Sequence, residues 1–353
     1  MKVTFSEILN HFEHPQVRDL VWTIGSPHLT KQIDLSVHHK DWDQEFIDDL
    51  KLIDVAVDKL LAYSLPKLKE LEADPSVLFA ALEVSKQKFS RVRLGIYYEH
   101  LVHFFLEYIL GFDPLWREIQ IFEQSEKGKH TIGSIDMLGK LAPNHALAEI
   151  FGQNQNDYHV EVASKFYLKV PIAEAHLPKS EKFPVELSRY IGPNERDSFG
   201  SKLARLFTHQ LPLTNDRRAQ TVLEQYKLKI DHRLLWCKGR IFYHFQDVTS
   251  IQKQRHENAF WVRQHDIEAL FESELIQADK VLCMLCPKPN WLAPPSIKVF
   301  EVNASSHSVP SLLQTAQQER GEKGSTLWYG YSSTRKAYFW LMIVPDLWGK
   351  RKL

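Results

Sequence analysis

With 353 residues, 44% hydrophobic and 25% charged, the chain has the composition of a folded globular protein and not of a disordered or collagen-like one. Its length suits one large domain or two modest ones. Lysine plus arginine and aspartate plus glutamate number 44 each, so no bulk positive field draws it onto nucleic acid or membrane, and any basic groove must be local.

Three cysteines, Cys237, Cys283 and Cys286, fall short of a disulfide framework and predict a reducing, cytoplasmic setting. The opening residues meet charge at Glu7 and Glu13 and lack the apolar core of a signal peptide. No stretch reaches the ~18 apolar residues of a membrane span, so no membrane is expected as a partner.

Residues 1–90 read as an acidic helical region, with 10 Lys/Arg against 15 Asp/Glu. From Asp41, the helical spacing of Phe46, Leu50, Ile53, Val57 and Leu60 predicts a helix that ends before Pro66. Asp74-Pro75 reads as the N-terminal cap of the next. From Arg91, a broad apolar stripe through Tyr97, Leu101 and Phe105 predicts a long helix stopped by Gly111.

Strands follow over 116–123, 131–138 and 158–168, the first two joined by a hairpin at Gly128. Pro143 and the polar run Gln153–Asp157 mark a loop, and Pro171, Pro178 and Pro184 break up the next segment. Helices are expected over 197–209, capped by Asp197, and 216–227, then a strand over 233–245. Residues 251–353 form a C-terminal α/β region, with strands over 260–262, 281–286, 298–302 and 337–344 and helices over 266–275 and 310–318. Pro287, Pro289, Pro294 and Pro295 mark a loop there, and the tail from Glu319 is mildly basic. The divisions suggested are 1–90, 91–250 and 251–353.

The chemistry-bearing pattern lies on the second and third strands. GSID places Asp136 in an apolar strand, and HVEVASKFYL places Glu161 and Lys165 in the next, with Glu161, Ala163 and Lys165 on one face. If these strands pair, Asp136 and Glu161 converge as hard oxygen ligands suited to Mg²⁺, which keeps water and substrate phosphate in its other positions. Strand acids facing solvent are the plainer reading of the same residues.

The order helix, strand, strand with Asp, strand with Glu and Lys, helix, strand resembles the PD-(D/E)XK, or restriction-endonuclease-like, phosphodiesterase superfamily. The segments PQVRDLVWTIGSP, RLGIYYEHLVHFFLEYIL, GSIDML, VEVASKFYL, YIGPNERDSFGSKLARLFTHQLPL and GRIFYHF resemble an uncharacterised bacterial domain-of-unknown-function family placed within it. The resemblance runs from Pro15 to at least Phe245. It implies an α/β fold with a restriction-endonuclease-like core, an N-terminal helical region and a C-terminal α/β extension. It also implies a nuclease that takes Mg²⁺ or Mn²⁺ and acts on DNA or RNA.

Asp136 matches the motif aspartate and Glu161 the second acid, but Ala163 stands where the superfamily carries its lysine. Lys165 or Lys202 would have to replace it. Glu99, on the preceding helix, matches an additional metal-supporting acid in several members, and a solvated helix face explains it equally. The GPNERD turn and the helix after it place Asn194, Lys202, Arg205, His209 and Gln210 where they could contact phosphate.

Cys283 and Cys286 form a lone CxxC, which zinc would have to complete with a second pair or with His256 and His265; buried reduced thiols are the simpler reading. The competing functional reading is a catalytically inactive module that binds nucleic acid or protein on the same fold, with the C-terminal region as a protein-docking surface.

Overall fold

The computed structural model describes residues 4–32, 44–83, 93–125, 128–142, 150, 157–171, 185–247, 258–288, 290–320 and 324–349. Asp41, Pro143, Gln153 to Asn156, Pro178, Pro184, His256 and Pro289 lie outside them, as do the side chains of Phe46, Leu50 and Ile53. Among the described residues the chain is mixed α/β, with ten strands and twelve α-helices. No described helix is long and apolar enough to cross a membrane.

The chain divides into two compact units, each assembled from two stretches: Met1–Ser164 with Lys202–Lys238, and Lys165–Ser201 with Gly239–Leu353.

The first unit opens with α1 (Phe5–Leu9), α2 (Pro15–Gly25), α3 (Leu29–Gln32), α4 (Gln44–Ala73) and α5 (Ser76–Glu83). Thr4 caps α1 in a reciprocal box with Glu7. The helix expected to stop before Pro66 runs through it, because Leu60, Leu61, Leu68 and Leu71 keep one buried face on either side. Asp74 does cap α5, accepting the Ser76 N–H at 3.0 Å. Next, α6 (Leu94–Phe104) passes into a π-helical turn over Phe105–Ile109, and Gly111 ends it at φ 76°.

The strands β1 (Phe112–Ser125) and β2 (Gly128–Leu141) form an antiparallel hairpin, with Gly128 at φ 113°. The third strand, β3 (Asp157–Lys169), begins in this unit and pairs antiparallel with β2. Helix α9 (Arg217–Tyr226), capped by Asp216, contributes Ala219 and Leu223 to a core with Ile119, Ile121, Ile135 and Leu138.

The second unit holds the end of β3, α7 (Val185–Ser188), β4 (Tyr190–Ile191) and the start of α8 (Phe199–Arg205). Ser198, not Asp197, caps α8, its Oγ accepting the Ser201 N–H at 3.2 Å. From the second half of β5 (His232–His244) the order continues β6 (Ala259–Arg263), β10 (Ala337–Val344), β9 (Thr326–Ser332), β7 (Val281–Leu285), β8 (Ser305–His307). Pairs β5–β6 and β6–β10 are parallel and the rest antiparallel. Helices α10 (Ile267–Glu272), α11 (Ile297–Asn303) and α12 (Val309–Arg320) complete the unit.

The strand expected over 298–302 is the helix α11. The Ser296 side chain accepts the Val299 N–H and nucleates a turn, and only Phe300 is buried. The three cysteines are buried thiols outside any disulfide, and burial pushes Cys283 and Cys286 up to about 12, so these two are protonated.

Candidate active site

The register of β2 against β3 positions the two strand acids. Met137 faces Val160, so one further step along the antiparallel pair sets Asp136 opposite Glu161. The regular pairing stops there and the side chains take over. Asp136 Oδ2 accepts the Val162 N–H at 2.8 Å, and the Asp136 N–H makes a long 3.5 Å contact with Glu161 Oε1.

Glu161 is fully buried. Its Oε1 lies 2.9 Å from His159 Nε2, and its Oε2 accepts from Gln210 Nε2 at 2.7 Å. Burial, and then the Arg233 charge, hold His159 near 3, so this contact is a hydrogen bond to a neutral imidazole despite its ion-pair distance. His159 precedes Glu161 by two residues and so shares its strand face; that spacing was the available signal for a partner.

Lys202 Nζ donates to Gln210 Oε1 at 3.1 Å. Lysine can only donate, so the amide oxygen must face it and the amide nitrogen must face the carboxylate. The result is a relay from Lys202 through Gln210 to Glu161. Its geometry depends on the π-helical turn over Leu206–Gln210 that continues α8. At ~100° per residue a regular helix sets positions eight apart about 80° out of line. The wider π turn reduces that offset and brings Gln210 onto the Lys202 face. Gly133 lets the 3₁₀ turn that follows, Leu211–Asn215, approach β2 closely, since a Cβ there would stand 2.8 Å from Leu213 Cδ2.

The electrostatics are those of crowded acids. Burial, reinforced by the Glu161 charge, raises Asp136 to about 7. Burial raises Glu161 to about 7 against the opposing pull of Lys202. Glu99 also rises to about 7, through burial and then the charges of Asp136 and Glu118, which places it in the field of the pair. Glu118, held at φ 54° within β1, was not anticipated; a left-handed glutamate in a strand has no sequence signal.

The structure thus brings together Asp136, Glu161, Glu99, Lys202 and Gln210. Arg205 and His209 are exposed on the same helical stretch, and the Arg205 charge reaches Glu161. Lys165 is instead engaged in the second unit by Asp197 at 2.6 Å. Asn194, also in that unit, accepts the Arg196 N–H at 3.2 Å within its own turn. Among the described residues no three His, Cys, Asp or Glu side chains gather closely enough to form a protein-only metal cage.

The model of a family described as a domain of unknown function (DUF1853) matches residues 18–327. The chain belongs to that family. Comparison with curated proteins and with solved structures finds no match. The family's matched span takes in every residue of the carboxylate site.

Proposed function

We propose that the chain carries a restriction-endonuclease-like core and acts as a Mg²⁺- or Mn²⁺-dependent phosphodiesterase on nucleic acid. The observation that carries this reading is the opposition of Asp136 and Glu161 at the point where the β2–β3 pairing gives way to their side chains. The donor set fits a hard divalent cation by charge. Two neighbouring carboxyls raised to about 7 by burial are stabilised in their ionised form by a cation beside them. Two carboxylates suffice for Mg²⁺, which retains water and substrate oxygen. When bound, such an ion polarises a phosphoryl oxygen and acidifies water.

The chain's own groups have distinct tasks in this reading. Asp136 and Glu161 hold the cation, and Glu99 supplements the negative field. Lys202 supplies positive charge and, through Gln210, fixes the Glu161 carboxyl. Arg205 and His209 face solvent, suited to contact the nucleic-acid backbone. Lys165, bonded to Asp197, has no part here.

A specific observation favours the second reading, an inactive binding module. Glu161 is enclosed with both oxygens engaged by His159 and Gln210, and the customary lysine position is the buried Ala163. One assay separates the two. Labelled single- and double-stranded DNA and RNA are incubated with Mg²⁺ or Mn²⁺ and wild-type or Asp136→Asn protein. Metal-dependent cleavage by wild type alone supports the enzyme; salt-sensitive binding without cleavage on every substrate supports the module.

A further inference from the structure

His159 is fully buried on β3, opposite Leu138 of β2 and one same-face step before Glu161. Its Nε2 lies 2.9 Å from Glu161 Oε1, and among the described residues its Nδ1 meets no hydrogen-bonding partner. Two requirements then fix where the ring proton sits. A carboxylate that binds a cation is ionised and only accepts, so an Nε2 in contact with it must carry the proton. A proton on Nδ1 would instead be a buried N–H with nothing to accept it, which folded proteins rarely tolerate. One neutral form meets both requirements, with the proton on Nε2 and the lone pair on Nδ1.

That form puts one side-chain donor on each oxygen of Glu161: His159 Nε2–H on Oε1, and Gln210 Nε2–H on Oε2 at 2.7 Å. A carboxylate oxygen has about two acceptor sites, so one donor apiece sets the carboxyl plane without using up both oxygens. Oε1 also meets the Asp136 N–H at a long 3.5 Å, which leaves Oε2 the larger share of open acceptor capacity. The two donors are held differently. Gln210 is half-buried on its π turn, whereas His159 is enclosed by the strands, so the histidine supplies the fixed edge. A neutral donor also brings no positive charge, so it orients the carboxyl without repelling a cation beside it. Hydrogen-bond partners of this kind hold metal-binding carboxylates in place.

We propose that His159 is a positioning residue for the cation site: as the Nε2–H tautomer it holds Glu161 Oε1 and, with Gln210 on Oε2, fixes the carboxyl in the orientation a divalent cation meets. This rests on the reading that Asp136 and Glu161 hold such a cation. Two measurements on the full chain test it. Long-range ¹H–¹⁵N correlation of histidine-labelled protein at pH 8, where Glu161 is largely ionised, should show the Nε2–H pattern for the ring signal that His159→Gln removes. Calorimetric titration with Mn²⁺ should give His159→Asn an affinity about tenfold to a hundredfold below wild type, because the shorter amide matches Nδ1 and falls short of Oε1. His159→Gln, whose amide nitrogen matches Nε2, should stay within about threefold of wild type. Should His159→Asn melt early, the wild-type tautomer and the affinity of His159→Gln carry the test. An Nδ1–H pattern, wild-type affinity in a folded His159→Asn, or equal losses in both variants would overturn the positioning role while Mn²⁺ binding still depends on Asp136. A wild-type protein that binds no Mn²⁺, or binds it unchanged in Asp136→Asn, would overturn the cation reading itself and the proposal with it.

Discussion

The carboxylate site of the first unit and the cations Lys169, Arg189 and Arg263 of the second hold charge in contrasting surroundings. At Asp136 and Glu161 the acids are withdrawn from water and face each other, so burial raises both to about 7, with the Glu161 charge adding to the rise at Asp136. In the second unit Lys169 and Arg263 lie against tyrosine and tryptophan rings, and Arg189 pairs with Glu186 at 2.9 Å. A third setting sharpens the contrast. Asp216, at the exposed start of α9, is lowered to about 2 by its hydrogen bonds from Arg218. Residue type therefore says little about charge state. Desolvation and the sign of the neighbours decide it.

The largest effect that would break this comparison is on cleavage. Asp136→Asn and Glu161→Gln should each lower metal-dependent hydrolysis of labelled oligonucleotides by about a hundredfold or more, the scale for losing a group that stabilises developing charge. Variants that retain wild-type rates would leave the acids with a structural role only. Lys202→Ala should cost about tenfold to a hundredfold, since it removes both a positive charge and the anchor of Gln210. Removing Lys202 and Arg205 together should also shrink the salt slope of nucleic-acid binding by about two units, read by titration across a salt series.

Stability against pH offers a smaller, assay-independent test. The raised carboxyls keep protons in the folded state that the unfolded chain releases from about pH 4 upward. These carboxyls should therefore lower metal-free stability as pH rises from about 4 to 7, because their native forms keep protons in that window. Buried His159, neutral in the fold and protonated in the unfolded chain, acts in the opposite direction, and the acid part is what Asp136→Asn removes. Denaturant midpoints at pH 5 and pH 8 would measure the net difference, and Asp136→Asn should shift it in favour of pH 8. An unchanged difference, or a shift in favour of pH 5, would show that Asp136 is not among the titrating groups.

The smallest effect should come from Lys165→Ala. Its partly exposed pair with Asp197 is worth about 0.2–1 kcal/mol, and cleavage should stay within about twofold of wild type. A large loss of activity would return Lys165 to the site and displace Lys202.

The sequence by itself determined the strands that bear the acids, because alternation and the turn at Gly128 are local properties. It also determined the cap at Asp74 and the stop at Gly111, where one side chain or one left-handed glycine is enough. Local pattern misled at α11, where the Ser296 cap starts a helix, and at Pro66, where the buried face of α4 carried the helix on. Which lysine adjoins the acid pair was set by tertiary contacts. Lys165 and Lys202 were equal candidates along the chain, but a strand lysine four residues beyond Glu161 meets Asp197, while the π turn carries Gln210 between Lys202 and Glu161. The titration of Asp136 and Glu161 near neutrality was likewise illegible in the sequence. It arises from the register of β2 on β3 and from exclusion of water, and both are properties of packed strands rather than of residues in order.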